Sequence, residues 1–317
     1  MRLPEATSAR ERLISLKATE LGFVGLTSEQ LGPDAKHLDG FRHRMFLSSN
    51  GLEWEERQSP LTEPVDSSIY FKQVAYGASQ FVVVGGSVLK GGGEIWRSGA
   101  DGVWHPADMK PETPLSGVEW TNWGFMAFGT AGAVLRSSSG LAWTVHREKA
   151  AELRALACSS TVCVFGGTTN FVVLDTRSGQ WSVVVADCGG SPCERDPDGN
   201  PLQPPVLSVI YGHSAFNAET QETSAGKFAF SSMDGVTWHQ QDLAIAPQAF
   251  VREVAVRSTE PDEIAIWNLG GASHRVTVTN ENPRGLDCTS FECIALTFEF
   301  VPSLLLIPDA PKVGGCD

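Results

Sequence analysis

The chain has 317 residues, of which 42% are hydrophobic and 19% are charged, and its formal net charge is −13. The apolar fraction is too high for a disordered chain, and no run of about 18 apolar residues could cross a membrane. The acidic balance and the lack of a basic stripe argue against a nucleic-acid partner. A chain of about 300 residues can bury a large core in one or two domains.

The first eight residues contain no apolar stretch of about 7 to 15 residues, so they form no intact secretory signal. The protein therefore either stays inside the cell or is the mature form of an exported chain. We expect residues 1–13 to be a lead-in and residues 309–317 to be a C-terminal tail.

A repeat is the strongest signal in the sequence. Residues 74–85 align without a gap with residues 118–129, and residues 209–216 fit the same template. Residues 14–25 fit it more loosely. Each copy is an apolar run, a short turn with Gly, Ser or Asn, and a second apolar run, which predicts a β-hairpin.

A second hairpin follows each copy, and it has a Ser- and Gly-containing turn that ends in tryptophan. Asn-Gly or Asp-Gly supplies the positive φ of a tight turn, and the Ser and Asp side chains can bond to the N–H groups of the turn. The five tryptophans of these turns are Trp54, Trp104, Trp143, Trp181 and Trp238.

One unit therefore holds four short antiparallel strands in roughly 40 residues. Tandem units of this kind predict an all-β fold, a β-propeller of four-stranded antiparallel blades over residues 14–308. We expect seven blades, with six as the alternative. Residues 254–284 would form the sixth and residues 286–308 an incomplete seventh, which the lead-in would complete.

Six of the seven cysteines form three pairs with the same spacing, and Cys316 is left over. Cys158 and Cys163 stand where Tyr76 and Phe81 stand in an earlier copy. Residues in such positions oppose each other on neighbouring strands, within disulfide range. Disulfides would imply an oxidising compartment, and the alternative is buried thiols in a cytosolic protein. The expected pairs are Cys158–Cys163, Cys188–Cys193 and Cys288–Cys293.

The tryptophan-ended turns resemble Asp-boxes, also called bacterial neuraminidase repeats, and the preceding hairpins resemble the sialidase-like propeller repeats of exported bacterial proteins. That resemblance implies a fold rather than a function. Sialidases also require an Arg-Ile-Pro motif, which is absent, and a nucleophilic tyrosine. Tyr76 and Tyr211 occupy the structural repeat position, so only Tyr70 would remain.

We expect a non-catalytic, monomeric platform that binds a protein or a glycan and is secreted, periplasmic or at the cell surface. Trp123, in a hairpin turn, could stack on a ligand or pack on the next blade, and Trp120 and Trp96 are further binding candidates. The alternative is a glycoside hydrolase or lyase with acids in the central channel, where Glu119 and Asp287 share one repeat position.

No cofactor is indicated, except that the loop after Trp181 could bind calcium. Asp196, Asp198 and Asn200 place oxygen-bearing side chains at alternate positions beside a glycine, as at the start of a calcium loop. Position 12 of an EF-hand, counted from Asp196, would be Leu207, so the full motif fails. The alternative is a polar loop closed by a Cys188–Cys193 disulfide.

Overall fold

A computed structural model of the chain shows an all-β protein. It describes residues 11–31, 40–49, 53–59, 68–98, 102–146, 152–186, 205–212, 214–221 and 227–241 with their side chains. It describes the backbone alone for residues 147, 194–195, 201–202, 249–251, 254–260, 263–268, 273–277, 285–288, 293–296 and 304–307.

The first three sheets each have four antiparallel strands. Those of the first sheet are β1 (Glu11–Thr19), β2 (Gly22–Leu31), β3 (Gly40–Ser48) and β4 (Glu55–Arg57). Those of the second are β5 (Ile69–Gly77), β6 (Gln80–Ser87), β7 (Gly93–Ser98) and β8 (Trp104–Pro106). Those of the third are β9 (Leu115–Thr121), β10 (Gly124–Gly129), β11 (Ala133–Ser137) and β12 (Thr144–Arg147).

The fourth and fifth sheets also have four strands each, and a short two-stranded ribbon lies between them in the chain. Those of the fourth sheet are β13 (Leu153–Cys158), β14 (Val162–Gly167), β15 (Phe171–Asp175) and β16 (Gln180–Val184). Those of the ribbon are β17 (Glu194–Arg195) and β18 (Pro201–Leu202). Those of the fifth sheet are β19 (Val206–Gly212), β20 (Ala215–Thr220), β21 (Ala229–Ser232) and β22 (His239–Gln241).

The last two sheets are described by their backbone. The sixth has four strands and the seventh has three. Those of the sixth are β23 (Ala249–Val251), β24 (Val254–Glu260), β25 (Glu263–Asn268) and β26 (Ser273–Thr277). Those of the seventh are β27 (Gly285–Cys288), β28 (Cys293–Leu296) and β29 (Leu304–Ile307). The sixth sheet thus begins at Ala249, five residues before the start that the sequence suggested.

The repeat found in the sequence appears in the strand register. In six sheets a residue near the end of the first strand of the hairpin opposes the residue five positions later in the chain. These pairs are Ala18–Phe23, Tyr76–Phe81, Trp120–Phe125, Cys158–Cys163, Tyr211–Phe216 and Cys288–Cys293. The expected opposition is therefore confirmed for Cys158 with Cys163 and for Cys288 with Cys293. Cys188 and Cys193 lie outside the described residues.

Apolar side chains from consecutive sheets share four of the core clusters, and a further cluster around Phe23 and Phe46 lies within the first sheet. In one cluster Val24 and Leu26 of the first sheet pack with Phe71 and Val74 of the second. Similar clusters join the second sheet to the third, the third to the fourth, and the fourth to the fifth. Both faces of a sheet are therefore buried, which explains uninterrupted apolar strands such as β6.

The first strands of consecutive sheets lie side by side. Strand β5 contacts both β1 and β9, and β13 contacts both β9 and β19. The backbone N–H of Val74 donates to Ser15 Oγ at 3.3 Å, and that of Val118 donates to Gln73 Oε1 at 3.0 Å. Equivalent side chains thus tie the first sheet to the second and the second to the third.

The predicted tight turns form between the third and fourth strands. In the fifth sheet, Asp234 Oδ1 accepts from the N–H groups of Val236 and Thr237 at 2.8 and 2.7 Å, and Ser232 Oγ accepts from Gly235 N–H at 2.8 Å. Partial burial raises the pKa of Asp234, but these hydrogen bonds outweigh it and bring the pKa below its ordinary value. The aspartate is therefore a turn-stabilising residue, as the sequence predicted.

In the third and fifth sheets the tryptophan that ends the turn donates a hydrogen bond to the turn itself, whereas Trp104 of the second sheet donates to the carbonyl of Gln58 at 2.8 Å. Trp238 Nε1 donates to the carbonyl of Gly235 at 2.9 Å, and Trp143 Nε1 donates to that of Gly140 at the same distance. Gly235 has a φ of 77°, and a Cβ there would lie 2.8 Å from Val164 Cγ2 of the preceding sheet. Glycine is thus required both by the backbone conformation and by the close approach of the neighbouring sheet.

Strand β1 begins at Glu11, so residues 11–13, which the sequence assigned to the lead-in, pair with β2 in the first sheet. The rest of the lead-in and the tail after residue 308 lie outside the described residues. In the part of the chain that the structure describes, no helix has the length and apolar character that crossing a membrane requires.

A buried histidine joins the first two sheets. His43, on β3, is 2% exposed. Its Nδ1 lies 3.3 Å from the carbonyl oxygen of Thr27, and Phe71 N–H donates to Nε2 at 3.4 Å. Because a carbonyl only accepts and a backbone N–H only donates, the ring is neutral with its proton on Nδ1. Burial lowers the pKa of His43 to about 4, against hydrogen bonds with the Thr27 and Ile69 backbone that raise it.

We predict that His43 makes the protein less stable in mild acid. Its folded pKa of about 4 is below the ordinary 6.5, so the unfolded chain binds the proton more readily between these pH values. The free energy of unfolding should fall as the pH is lowered from about 6.5 to about 4, by up to about 3 kcal/mol, and this contribution is fully present above that window.

Urea denaturation of the wild type and of His43→Gln across this pH range measures the effect. The variant should show the shallower pH dependence, whereas His239→Gln, at an exposed histidine, should keep the wild-type slope. Equal slopes in wild type and His43→Gln would contradict the prediction.

The turn between β5 and β6 holds two non-glycine residues in the left-handed region, Ala78 at φ 48° and Ser79 at φ 57°. This region costs an L-residue about 1 kcal/mol or more. The double substitution Ala78→Asn/Ser79→Gly, the preferred pair for such a turn, should therefore raise the free energy of unfolding by about 1 kcal/mol. Ser79→Pro, whose ring forbids positive φ, should lower it. Chemical denaturation of the two variants tests this, and the same sign for both would refute it.

Candidate functional site

The described part of the chain contains a cavity of about 330 Å³ at one end of the third, fourth and fifth sheets. We call this end the turn end, because it carries the turns between the first and second strands and between the third and fourth strands. The cavity lies beside the first strands of these sheets, which also contact one another. Its lining residues are Glu119, Trp120, Thr121, Asn122, Leu156, Ala157, Cys158 and Tyr211.

Four lining or neighbouring residues occupy the same repeat position. In the second to fifth sheets, one residue of the first strand pairs across the first hairpin turn with the residue five positions later; we call these residues, Tyr76, Trp120, Cys158 and Tyr211, the collar. The three aromatic members each contact a phenylalanine on the second strand, with ring centroids 4.7 Å apart. Such cross-strand aromatic pairs stabilise a sheet beyond the burial of their area.

The fourth member of the collar is a cysteine. Cys158 and Cys163 form a disulfide, with Cα atoms 4.0 Å apart, which confirms this predicted pair. The disulfide makes the cross-strand connection that an aromatic pair makes in the sheets on either side. It fills less space than two rings, and the cavity lies beside it, between Trp120 and Tyr211.

Trp120 is the most exposed of the large hydrophobic side chains that line the cavity. It is 42% exposed, although its ring packs edge-on against Phe125. A Cβ at Gly77 would lie only 1.9 Å from Trp120 Cδ2, so the indole ring rests on the bare backbone of that glycine. Gly77 therefore supports the ring from the preceding sheet. Tyr211, on the far side of the cavity, is 37% exposed.

A polar network lies beneath the cavity and connects three sheets. Glu119 Oε1 accepts hydrogen bonds from Lys17 Nζ on β1 and from Gln73 Nε2 on β5, the latter at 2.8 Å. The Lys17 and Glu119 side chains are 26% and 24% exposed. Since the same Gln73 accepts from Val118 N–H, the carboxylate is fixed in orientation. The ion pair spans the second sheet and links the first sheet to the third.

The three tryptophans proposed from the sequence as binding residues lie in different surroundings. Of these, Trp120 lines the cavity. Trp123 is half-buried against the cluster shared by the third and fourth sheets, and Arg136 lies over its ring at 5.6 Å. Trp96 is half-buried against the cluster shared by the first and second sheets. Trp123 thus packs on the neighbouring sheet, which was one of the two interpretations given above.

Several other predicted site residues lie outside the described residues, including Asp196, Asp198 and Asn200 of the suggested calcium loop. Within the described residues, no group of three His, Cys, Asp or Glu side chains could hold a metal ion. Asp287 and the opposed Cys288 and Cys293 are described by backbone only.

Sequence reasoning missed Tyr211 as a site residue, because its repeat position identified it as structural. Trp120 occupies the same position two sheets earlier and was considered a binding candidate. The signal that could have found Tyr211 is the cysteine between these two residues in the repeat. A small residue flanked by two aromatic residues at equivalent positions indicates a gap.

No protein-family model matches the sequence, and no curated protein is significantly similar to it. Solved structures are similar in fold. YCF48 from Cyanidioschyzon merolae superposes with a TM-score of 0.55 at 10% identity, covering 96% of this chain and 97% of that chain. The WD40 β-propeller domain of Doa1 gives 0.56 at 9% identity, covering 94% and 93%. The computationally designed Ika8 protein gives 0.56 at 12% identity, covering 94% and 97%. These similarities, together with the consecutive four-stranded sheets, show a β-propeller-like fold.

We predict that Gly77 and Trp120 are energetically coupled. Gly77→Ala should force the indole ring off its support and lower the free energy of unfolding by about 1 to 3 kcal/mol. In the Trp120→Ala background the same substitution should cost much less, because the clash is gone. Chemical denaturation of the two single variants and the double variant measures this coupling. Gly25→Ala, which places a Cβ at ordinary contact distances, is the matched control and should be tolerated. Additive effects in the cycle would show that the two residues are independent.

Proposed function

We propose that the sheets form a closed seven-bladed β-propeller in which the three-stranded last sheet is the seventh blade. Strand β27 contacts both β23 and β1, which supports a position for the last sheet between the sixth and the first. The lead-in would supply its fourth strand. We also propose that the tryptophan-ended turns are Asp-boxes, and the Ser232, Asp234 and Trp238 hydrogen bonds support this.

We propose that the protein is a rigid scaffold that binds a protein partner at the turn end. The observation that carries this proposal is the cavity between Trp120 and Tyr211, two large side chains that are more than a third exposed. Exposed aromatic side chains around a concave site are typical of binding hot spots. Tightly packed sheets on both sides would hold these residues in place with little rearrangement on binding.

The polar groups of the cavity support a binding role rather than catalysis. A two-carboxylate glycosidase needs two carboxyl groups about 5 to 9.5 Å apart. Among the described lining residues the one carboxylate is that of Glu119, and its Oε1 is held by Lys17 and Gln73. A glycoside hydrolase or lyase would therefore need a second acid from a part of the chain outside this lining.

We further propose that the protein works in an oxidising compartment, as a secreted, periplasmic or cell-surface protein. The Cys158–Cys163 disulfide supports this, since such bonds persist mainly outside the reducing cytosol. Its place in the collar makes it part of the cavity wall, so its oxidation state bears on the binding site as well as on stability.

We predict that partner contacts are confined to the turn end. A photo-crosslinking residue at Asn122, in the cavity rim, should form a discrete crosslink with one protein in an extract of the native source. The same residue at Leu89, 83% exposed in the loop between β6 and β7 at the opposite end, should not. The Asn122 crosslink should weaken at least tenfold when Trp120→Ala is added. Equal crosslinking at both positions, or crosslinking at Leu89 alone, would place the interface elsewhere.

A further inference from the structure

The cavity occupies the place of a ring that the repeat would lead one to expect. In the second, third and fifth sheets the collar position carries Tyr76, Trp120 and Tyr211, each packed on a phenylalanine. In the fourth sheet the disulfide of Cys158 and Cys163 stands in that position. From the second to the fifth sheet the series of aromatic residues is thus interrupted once, and the cavity opens at this interruption. The first sheet has Ala18 at the same position.

The size of the cavity suits a single large side chain. Its volume of about 330 Å³ is at the lower end of the roughly 300 to 1,000 Å³ found for small-molecule pockets. Leu156 and Ala157 provide apolar wall, and Trp120 and Tyr211 stand on either side. A planar ring inserted here would contact aromatic neighbours in the way that the collar residues contact their own phenylalanines.

The polar groups at the cavity match the polar atom of a tryptophan or tyrosine side chain. Glu119 lines the cavity, and both of its protein donors bond to Oε1. Within the described part of the chain, Glu119 Oε2 and the Asn122 amide have no protein hydrogen bond, so both can accept from an indole N–H or a phenol O–H. Because Lys17 balances the charge of Glu119, the site does not demand a cationic ligand.

We propose that this gap is an anchor pocket for one aromatic side chain, a tryptophan or tyrosine, from a protein partner. The partner's ring would fill the position between Trp120 and Tyr211 that the fourth sheet leaves open and would donate to Glu119 or Asn122. This inference rests on the proposed scaffold function and adds the chemistry of the group recognised. Anchoring by one buried aromatic side chain is how many protein interfaces concentrate their binding energy.

The test uses the intact, oxidised protein and small probes. N-acetyl-L-tryptophanamide and N-acetyl-L-tyrosinamide are titrated by saturation-transfer NMR, with N-acetyl-L-leucinamide and methyl β-D-glucopyranoside as comparisons. The aromatic probes should bind with dissociation constants on the order of 0.1 to 1 mM, at least fivefold tighter than the leucine probe. Tighter binding of the glucoside than of the aromatic probes would overturn the proposal and assign the cavity to carbohydrate.

Two variants fill the gap from inside. Cys158→Tyr/Cys163→Phe recreates the Tyr211–Phe216 pair of the next sheet and should weaken aromatic probe binding at least tenfold. Ala157→Ile introduces the residue that the fifth sheet has at this position, Ile210, and keeps the disulfide. Ala157→Ile should also weaken binding of the aromatic probes, and it tests the proposal even if the double variant does not fold. Wild-type affinity in a folded filling variant overturns the proposal.

Trp123→Phe is the matched control, since Trp123 is a nearby tryptophan that packs outside the cavity. This variant should bind the probes as the wild type does.

The probe titration and the crosslinking experiment test the two proposals independently. Crosslinking at Asn122 without aromatic probe binding refutes the anchor pocket alone. Probe binding that the filling variants abolish, without any partner crosslink, supports the pocket and refutes the scaffold function.

Discussion

The second, third and fourth sheets are each buried on both faces by apolar side chains of their neighbours in the chain. Val82, Val83 and Val84 on β6 are all fully buried, although successive residues of a strand point to opposite faces. A single sheet of four short strands could not bury both faces alone, so its stability comes from its neighbours.

The outermost strand of a sheet need not be buried on both faces, and β4 is accordingly short, charged and exposed. Such an edge discourages pairing with other chains.

This packing decides where function can reside. Because both faces of the sheets are committed to the core, the side chains available to a ligand are those at strand ends and in turns. Trp120 and Tyr211 are the second-to-last residues of β9 and β19, and the ring of each packs against a buried phenylalanine. Their exposure is therefore combined with a fixed position. Gly77 adds to this by letting the ring of Trp120 rest on the neighbouring sheet.

The sequence was informative wherever a contact is local. The pairing of Cys158 with Cys163 could be predicted because a hairpin brings residues five apart into opposition. Ala18 occupies the same position in the first sheet, but with no ring to mark it the first copy aligned only loosely. The Lys17–Glu119 pair was out of reach, because it joins sheets that are not neighbours in the chain. Trp120 and Trp123 have similar sequence surroundings, and only packing separates the cavity-lining ring from the half-buried one.

The collar shows how a repeat can keep its stability and still open at one sheet. An aromatic pair contributes about 0.5 to 1.5 kcal/mol beyond its buried area. A disulfide closing so small a loop contributes about 2 kcal/mol in the chain-entropy model. Cys158 and Cys163 can therefore hold the fourth sheet's hairpin as firmly as two aromatic rings do, while leaving the volume of those rings empty. A small pair such as two alanines would vacate the same volume and lose the cross-strand connection. The disulfide thus allows the cavity to exist at no cost to the hairpin that forms its wall.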